Sequence, residues 1–547
     1  MSSWQFADAW EVVAEALPDA DALRHGERRL SWRQFSRRAD AVAHALLAGG
    51  MVPGASVGLL LYSSPAYLEA TFACLKLGVP PVNTNYRYGP DELAYLWDNA
   101  DAQAVVFDGT FTARVAEVRP RTPRVTTWLW VDDGSEPCPP WATPYDQVVD
   151  QADGPGLPSP VIAPWGRSPD DLILLYTGGT TGFPKGVMWR HDDLFAALNA
   201  TAALRYPDQG TLEDVRRMLV KPGPSYLVAA PLMHGTGFFG ALGILGAGGS
   251  VITPRERSFT ATAMLDTLAA TRAQSTSIVG DVFCQPLVEA LDAEPDRWDL
   301  AALRVVTSSG AVWSEANKRR LLVHAPRALL VDTLGSSEAV GTAKTVTRAS
   351  GSTAATSTGG GPASFTLGPT TRVIDPEGHD VVAGSGQVGR VAQRGRGPIG
   401  YYKDPVKSAE TFQLVDGVRW TVTGDEAVVN ADGTVRLLGR GSACINTGGE
   451  KVYPEEVEAV LRSHPRVSDA ACVGLPDERL GQRVTALVEP IDREDPPLAE
   501  ELISLVKGSL AGYKAPKDVI VVDTVNRAAN GKLDYAALRQ LAATRFG

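Results

Sequence analysis

The chain has 547 residues, 44% hydrophobic and 21% charged, which is the composition of a soluble globular protein and too long for one hydrophobic core. Its 52 Lys and Arg against 63 Asp and Glu leave a formal charge of −11, which argues against a general nucleic-acid or anionic-membrane binder. Five scattered cysteines (Cys74, Cys138, Cys284, Cys444, Cys472), with no CxxC and no zinc spacing, argue against a disulfide framework or structural metal and fit a reducing cytosol.

The N-terminus, "MSSWQFADAWEVVAEALPDA", carries acids early and has no basic region followed by an apolar run, so no signal peptide is expected. From about Trp32 to Val340, helical and strand patterns alternate. "RQFSRRADAVAHALLAGG" has helical spacing and a glycine stop, "SVGLLLY" reads as a buried strand, and "PAYLEATFACLKLG" as a helix before a short apolar segment at Pro81 and Val82. "DLILLYT", "SIVG", "LRVVTSSG" and "ALLVDTLG" read as further strands, with a helix over Ser314 to His324. Continuous apolar strands alternating with helices predict sheets covered on both faces, an α/β architecture.

Between Lys221 and Arg255 the only ionisable side chains are His234 and Tyr226, a stretch long enough to span a bilayer. Pro222, Pro224, Pro231 and several glycines break it into a strand (Tyr226 to Ala230), a loop and a Gly-rich helix, so a buried core is expected and no membrane span. "SGSTAATSTGGGP" (Ser350 to Pro362) is low-complexity and reads as a mobile loop. "TRVIDPEGHDVVAGSGQVGRVAQRG" follows with short alternating strands, suggesting a small β subdomain. After "TVRLLGRGSACINTGGE" the chain restarts as an α+β unit of about 100 residues. It opens on the helix "PEEVEAVLRSH", with Pro454 at its start and Val457, Val460 and Leu461 on one face. The expected division is 1–439 and 440–547.

"LLYTGGTTGFPKGV" (Leu174 to Val187) puts three threonines, four glycines and one lysine after an apolar strand. That is the chemistry of a phosphate cradle: glycine lets backbone N–H groups approach an anion, threonine hydroxyls donate and lysine supplies charge. It is not the P-loop G-x-x-x-x-G-K-[ST], because Lys185 follows Pro184 and Gly186 stands where the magnesium-binding hydroxyl would be.

The loop resembles the phosphate-binding motif of adenylate-forming enzymes, the superfamily of acyl-CoA synthetases, luciferases and peptide-synthetase adenylation domains. Further motifs follow in that family's order and cover nearly the whole chain. Resemblance implies that Thr177, Gly178, Gly179, Thr180, Thr181, Gly182 and Lys185 cradle the phosphates of ATP. "VDTLGSSEAVG" resembles the Y-G-x-T-E element, so that Leu334, Gly335, Ser336 and Ser337 lie at the adenine side and Glu338 holds Mg2+ on the phosphates. Leu334 departs from the family's stacking aromatic. "SSGA" resembles the segment edging the adenine, with Ser309, Gly310 and Ala311. "TVTGDEA" and "LLGRGS" imply ribose contacts from Asp425 and Arg440, although a glycine-flanked Asp is also a common turn. "NRAANGKLDY" alone reads as a solvated lysine after an Asn-Gly turn; by resemblance Lys532 reaches the reacting carboxylate and α-phosphate during adenylation.

In the same family the C-terminal domain is mobile, and its hinge would fall near Ser442, where an Asp or Lys is usual. "INTGGEKVYPEEVE" resembles the pantetheine-tunnel segment of acyl-CoA synthetases, with Gly448 and Gly449 giving the thiol arm room. No carrier-protein segment is recognisable, so free coenzyme A is the expected acceptor over a carrier-protein thiol. "PLMHGTGFFGALGIL" resembles the acyl-pocket motif and sets His234 near the carboxylate, where a satisfied core histidine is the competing reading. Phe238, Phe239, Gly240, Ala241 and Gly243 suggest a roomy apolar pocket, and no Asp sits to pair an amino-acid ammonium.

The expected function is therefore an AMP-forming acyl-CoA ligase for a fatty acid, working in the cytoplasm, with a steroid side-chain, terpenoid or aryl acid as alternatives and a homodimer left open. A decayed nucleotide-binding scaffold would be expected to lose one of Lys185, Glu338, Asp425, Arg440 and Lys532, all of which are present.

Overall fold

In the computed structural model, residues 3–153, 159–177, 183–202, 204–310, 313–349, 364–415, 417–440, 445–452, 454–526, 533 and 535–546 are described. The strand Ser56–Leu60 is buried at every position and lies between two parallel neighbours, Pro81–Asn83 and Ala102–Asp108. Burial at successive positions, which point to opposite faces, means that both faces are covered, and this explains its unbroken apolar run. The helix Pro65–Leu77 is buried all round, starting with Pro at its first turn and ending at Gly78 with φ +65. Even its Lys76 is buried, because Asp40 at 2.8 Å and Glu11 at 3.0 Å neutralise it.

Among the described residues the strands form sheets of fourteen, eight and five. The eight-stranded sheet runs Gly400–Tyr401, Lys185–Arg190, Leu172–Thr177, Pro81–Asn83, Ser56–Leu60, Ala102–Asp108, Thr127–Val131, Thr143–Pro144. The fourteen-stranded sheet has a parallel core that includes Ser225–Leu227, Ser275–Ile278, Val305–Ser308 and Leu329–Leu334, then turns antiparallel at Ala343–Thr347.

Two expectations change in detail. The strand at Tyr226 is Ser225–Leu227 and stops short of Ala230. The strands Thr371–Ile374, Val388–Arg394 and Val418–Val429 gather a small core of Val373, Val381, Val391, Ala427 and Val435, but their ladder is continuous with the large sheet through Ser364–Leu367. No helix among the described residues is long and apolar enough to cross a membrane.

The chain divides into two compact units. Met1–Tyr86, Trp97–Tyr176 and Gly186–Leu438 form the first; Arg87–Leu96, Thr177–Lys185 and Gly439–Gly547 form the second. In the second, Val467–Asp477 and Gly481–Pro490 make a long antiparallel pair, with Asp518–Val521 parallel to the latter. The helix Pro454–Arg462 buries Val457 and Leu461 against this sheet together with Cys472 and Val484. Lys514, 1% exposed, is held between Glu456 at 2.6 Å and Glu92 at 2.9 Å. Burial works against its charge, but the two carboxylates prevail and raise its pKa.

Candidate active site

The parallel strand Leu329–Leu334 delivers the segment Leu334–Glu338 at its carboxyl end, where sites in α/β sheets form. Beyond Leu334 the backbone folds into a turn: Ser336 N–H donates to the Ala339 carbonyl at 2.9 Å, and Glu338 N–H donates to the Ser336 hydroxyl at 3.2 Å. Gly335 suits this path, since a Cβ there would make a tight contact 3.1 Å from the Ala339 carbonyl oxygen. Two aromatic residues of the eight-stranded sheet hold the turn. Trp189 Nε1–H donates to the Ser337 carbonyl at 2.7 Å, and the Tyr401 hydroxyl donates to Glu338 Oε1 at 2.9 Å. Glu338 is 9% exposed and Tyr401 8%. Below, buried Lys318 pairs with Asp332 at 3.2 Å; desolvation still leaves the Asp332 carboxyl above its usual range.

The neighbouring strand Val305–Ser308 runs parallel to Leu329–Leu334 and ends at Ser309 and Gly310, the latter at φ +92. Buried Ser308 accepts the Gly280 N–H at 3.0 Å, tying this strand end to the helix Gly280–Ala293. Asp425 does not sit in a turn. It lies inside the strand Val418–Val429, where Arg390 pairs with Glu426 but Ala392 with Val422. One residue on one strand, Val391, therefore faces three on the other, Thr423 to Asp425, and Gly424 at φ +78 takes up the excess. This bulge turns Asp425 out of register, a device that re-aims a side chain. Thr333 and Thr423, each adjoining one of these segments, carry buried hydroxyls without a hydrogen-bond partner among the described residues, which suits positions that meet a polar ligand.

His234 is the N-cap of the helix Gly235–Gly246 and is half-buried. The small residues that follow divide by role. A Cβ on Gly240 would meet the Tyr226 hydroxyl at 2.5 Å and Ala241 is fully buried, so both serve packing against the sheet. Phe238 is also core, edge-on to Tyr67. Gly243 instead faces open space and, with Gly246, borders an apolar cleft lined by Phe195, Leu198 and Tyr206. Gly240 and Ala241 thus have a packing reason of their own, because the helix has to lie on the strand Ser225–Leu227.

One residue joins this helix to the phosphate-loop strand. Buried Asn83 donates through Nδ2 to the Tyr176 carbonyl at 2.9 Å and the Met233 carbonyl at 2.7 Å, and accepts the Tyr176 N–H at 2.6 Å. Neither Asn83 nor the Trp189–Tyr401 pair stood out in the sequence. Their partners are 93 to 150 and 148 to 63 positions away, and an amide after an apolar stub or an aromatic after glycine names no partner.

The other expected residues belong to the second unit, apart from those not described. Thr177 ends the strand Leu172–Thr177, and half-buried Lys185 begins the strand Lys185–Arg190. Arg440 ends the strand Val435–Arg440. Gly448 at φ +59 and Gly449 at φ +81 form the two-residue turn between Ile445–Thr447 and Glu450–Val452, where both positions require left-handed backbone. The Gly-Gly pair therefore has a backbone reason independent of any tunnel. Gly178, Gly179, Thr180, Thr181, Gly182, Ala311, Ser442, Lys532 and the Ser350 to Pro362 segment lie outside the described residues.

No group of three or more His, Cys, Asp or Glu among the described residues makes a metal cage. A buried carboxylate such as Glu338, which accepts a hydrogen bond from the Tyr401 hydroxyl, suits Mg2+ held largely by substrate phosphates and water.

The model of the AMP-binding enzyme family matches residues 10–402, and that of the AMP-binding enzyme C-terminal domain matches 456–532. The chain belongs to the AMP-binding enzymes. It is 38% identical over 532 residues to the medium/long-chain-fatty-acid–CoA/3-oxocholest-4-en-26-oate–CoA ligase of Mycobacterium marinum, covering 97% of this chain and 95% of that one. The 3-oxocholest-4-en-26-oate–CoA ligase of Rhodococcus rhodochrous is 37% identical, covering 97% and 94%. The indoleacetate–CoA ligase of Aromatoleum aromaticum is 29% identical, covering 96% of each. Among solved structures, the amide bond synthetase McbA from Marinactinospora thermotolerans shares the fold at TM-score 0.77 and 24% identity, over 97% of this chain and 99% of that one. The anthranilate CoA ligase AuaEII, in complex with anthranoyl-AMP, does so at TM-score 0.67 and 22% identity, over 99% and 98%.

Proposed function

We propose that this AMP-binding enzyme is an acyl-CoA ligase, which converts a carboxylic acid to acyl-AMP with release of pyrophosphate and then passes the acyl group to coenzyme A. The observation that carries this reading is the 38% identity, over 97% of the chain, to a ligase that joins such acids to coenzyme A. Retention of Lys185, Glu338, Asp425, Arg440 and Lys532 supports it.

A carboxylate is a poor electrophile because its oxygen is a poor leaving group; the mixed anhydride with AMP has a good one. The reaction is an in-line displacement at phosphorus that needs positioning and charge neutralisation but no side-chain nucleophile. In this reading Thr177, Gly178 to Gly182 and Lys185 wrap the phosphates, Ser309 to Ala311 and Leu334 to Ser337 border the adenine, Asp425 and Arg440 take the ribose, and His234 lies by the acid. Lys532 offsets the charge that develops between carboxylate and α-phosphate. Mg2+, bound through Glu338, would neutralise negative charge on the phosphates. Residues 1–439 would form the adenylation domain and 440–547 the mobile domain, which pivots near Ser442 and offers the Gly448–Gly449 turn to the thiol arm. We assign the enzyme to the cytoplasm, with monomer and homodimer to be separated by sizing.

A fatty acid is the first choice of substrate, supported by the Mycobacterium marinum relative. A steroid side-chain acid is the second, favoured by the Rhodococcus rhodochrous relative. The test is acid-dependent pyrophosphate release with ATP and magnesium, with and without coenzyme A, across short to long fatty acids, aryl acids and a steroid side-chain acid. Sustained turnover that needs coenzyme A for one class supports the reading and names the acid. Adenylate that coenzyme A never discharges would point to a carrier-protein thiol or an amine as acceptor.

A further inference from the structure

We infer that Tyr401 is a positioning residue for the metal-binding carboxylate, an inference that rests on the reading of Glu338 as the magnesium ligand. Glu338 lies on a turn, not on a strand or helix, so its backbone alone does not fix where the carboxylate points. Two side chains from the other sheet supply that order. Trp189, 1% exposed, holds the carbonyl of Ser337 through its indole N–H at 2.7 Å, and Tyr401 holds Glu338 Oε1 through its hydroxyl at 2.9 Å. Their strands are direct neighbours, Gly400 pairing with Met188 and Tyr401 with Val187, so both donors stand on one rigid ladder.

Tyr401 is itself held in place. Its N–H donates to the Ser408 hydroxyl at 2.7 Å, and its ring packs on Phe412 at 5.1 Å. Gly400, before it, has Ser408 and Met188 so close that a Cβ would lie 3.0 Å from each. A donor this fixed sets the rotation of the carboxylate it binds, as an outer partner does for a metal ligand. In water a carboxylate finds donors anywhere; at 9% exposure it depends on those the fold provides.

The experiment compares Tyr401→Phe, Glu338→Gln and Tyr402→Phe in the full chain. The last removes a hydroxyl one residue away that bonds Asp101 at 2.9 Å instead. Binding of Mn2+ is read by electron paramagnetic resonance in the presence of a non-hydrolysable ATP analogue, and analogue binding without metal is read by calorimetry. Tyr401→Phe should weaken Mn2+ binding about tenfold, leave metal-free analogue binding within about twofold of the parent, and keep the parent's thermal unfolding profile. Tyr402→Phe should bind Mn2+ like the parent. Loss of Mn2+ binding in Glu338→Gln with none in Tyr401→Phe overturns the role of Tyr401 and leaves that of Glu338 standing. Unchanged Mn2+ binding in Glu338→Gln overturns both. An equal loss of metal-dependent and metal-free binding in Tyr401→Phe would make Tyr401 structural only.

Discussion

Asp108 ends the buried strand Ala102–Asp108 and is 4% exposed. Burial pushes its carboxyl up to about 7, and Asp133 adds to the rise against the opposing Tyr62 N–H and Arg257. The folded protein thus keeps a proton that the unfolded chain releases near 3.8. Between those values the folded state binds more protons, so this group's contribution to stability falls as pH rises from about 4 to about 7, then levels off. Asp108→Asn should flatten that slope and, at pH 8, raise stability by up to about 4 kcal/mol. Thermal unfolding at pH 5 and pH 8 reads the difference; parallel slopes in parent and variant would count against it. Lys514 is the opposite case, a buried cation between Glu92 and Glu456. Lys514→Met leaves two carboxylates facing each other and should cost about 3–5 kcal/mol, measured by denaturant titration of the full chain.

Single turns and bulges decide what the site can tolerate. The Gly448–Gly449 turn has two reasons to be glycine, one for the backbone and one for the proposed thiol path, and Gly448→Asn separates them. Asn-Gly is a favoured pair for this turn, so the variant should fold and form acyl-AMP at the parent's rate. If the thiol arm passes here, the thioester step should fall at least tenfold in a coenzyme A discharge assay; an unchanged step removes Gly448 from the path. Gly424→Ala in the bulge should cost about 1–2 kcal/mol and raise the KM for ATP several-fold, with the KM for the acid unmoved. Elements with an unbroken apolar run or helical spacing, such as Ser56–Leu60, Trp32–Ala48 and Pro454–Arg462, were legible in the sequence because a local pattern determines them. The bulge at Gly424 was not, since "TGD" spells a turn equally well and only the partner strand makes it a bulge. The motif residues were legible as a set in order. Asn83 and Tyr401 were not, because their meaning comes from residues 63 to 150 positions away.

At the scale of the whole chain, the two half-reactions should answer to different segments. Lys532→Ala should reduce acyl-AMP formation at least a hundredfold while thioester formation from supplied acyl-AMP stays within a few-fold of the parent, both followed by product chromatography. Equal loss of both would remove the division of labour. In the proposed reading, ATP and acid by contrast share a part. Asn83 bonds the last residue before the phosphate loop, Tyr176, and the residue before His234, Met233, with one amide. Ordering one side of that amide orders the other, so the two substrates should show thermodynamic linkage: each should tighten the other by the same factor. Calorimetry of an ATP analogue with and without acid gives that factor, and Asn83→Ala should bring it towards one. A single amide would then make synergy between nucleotide and acid a property of the empty protein, present before either has bound.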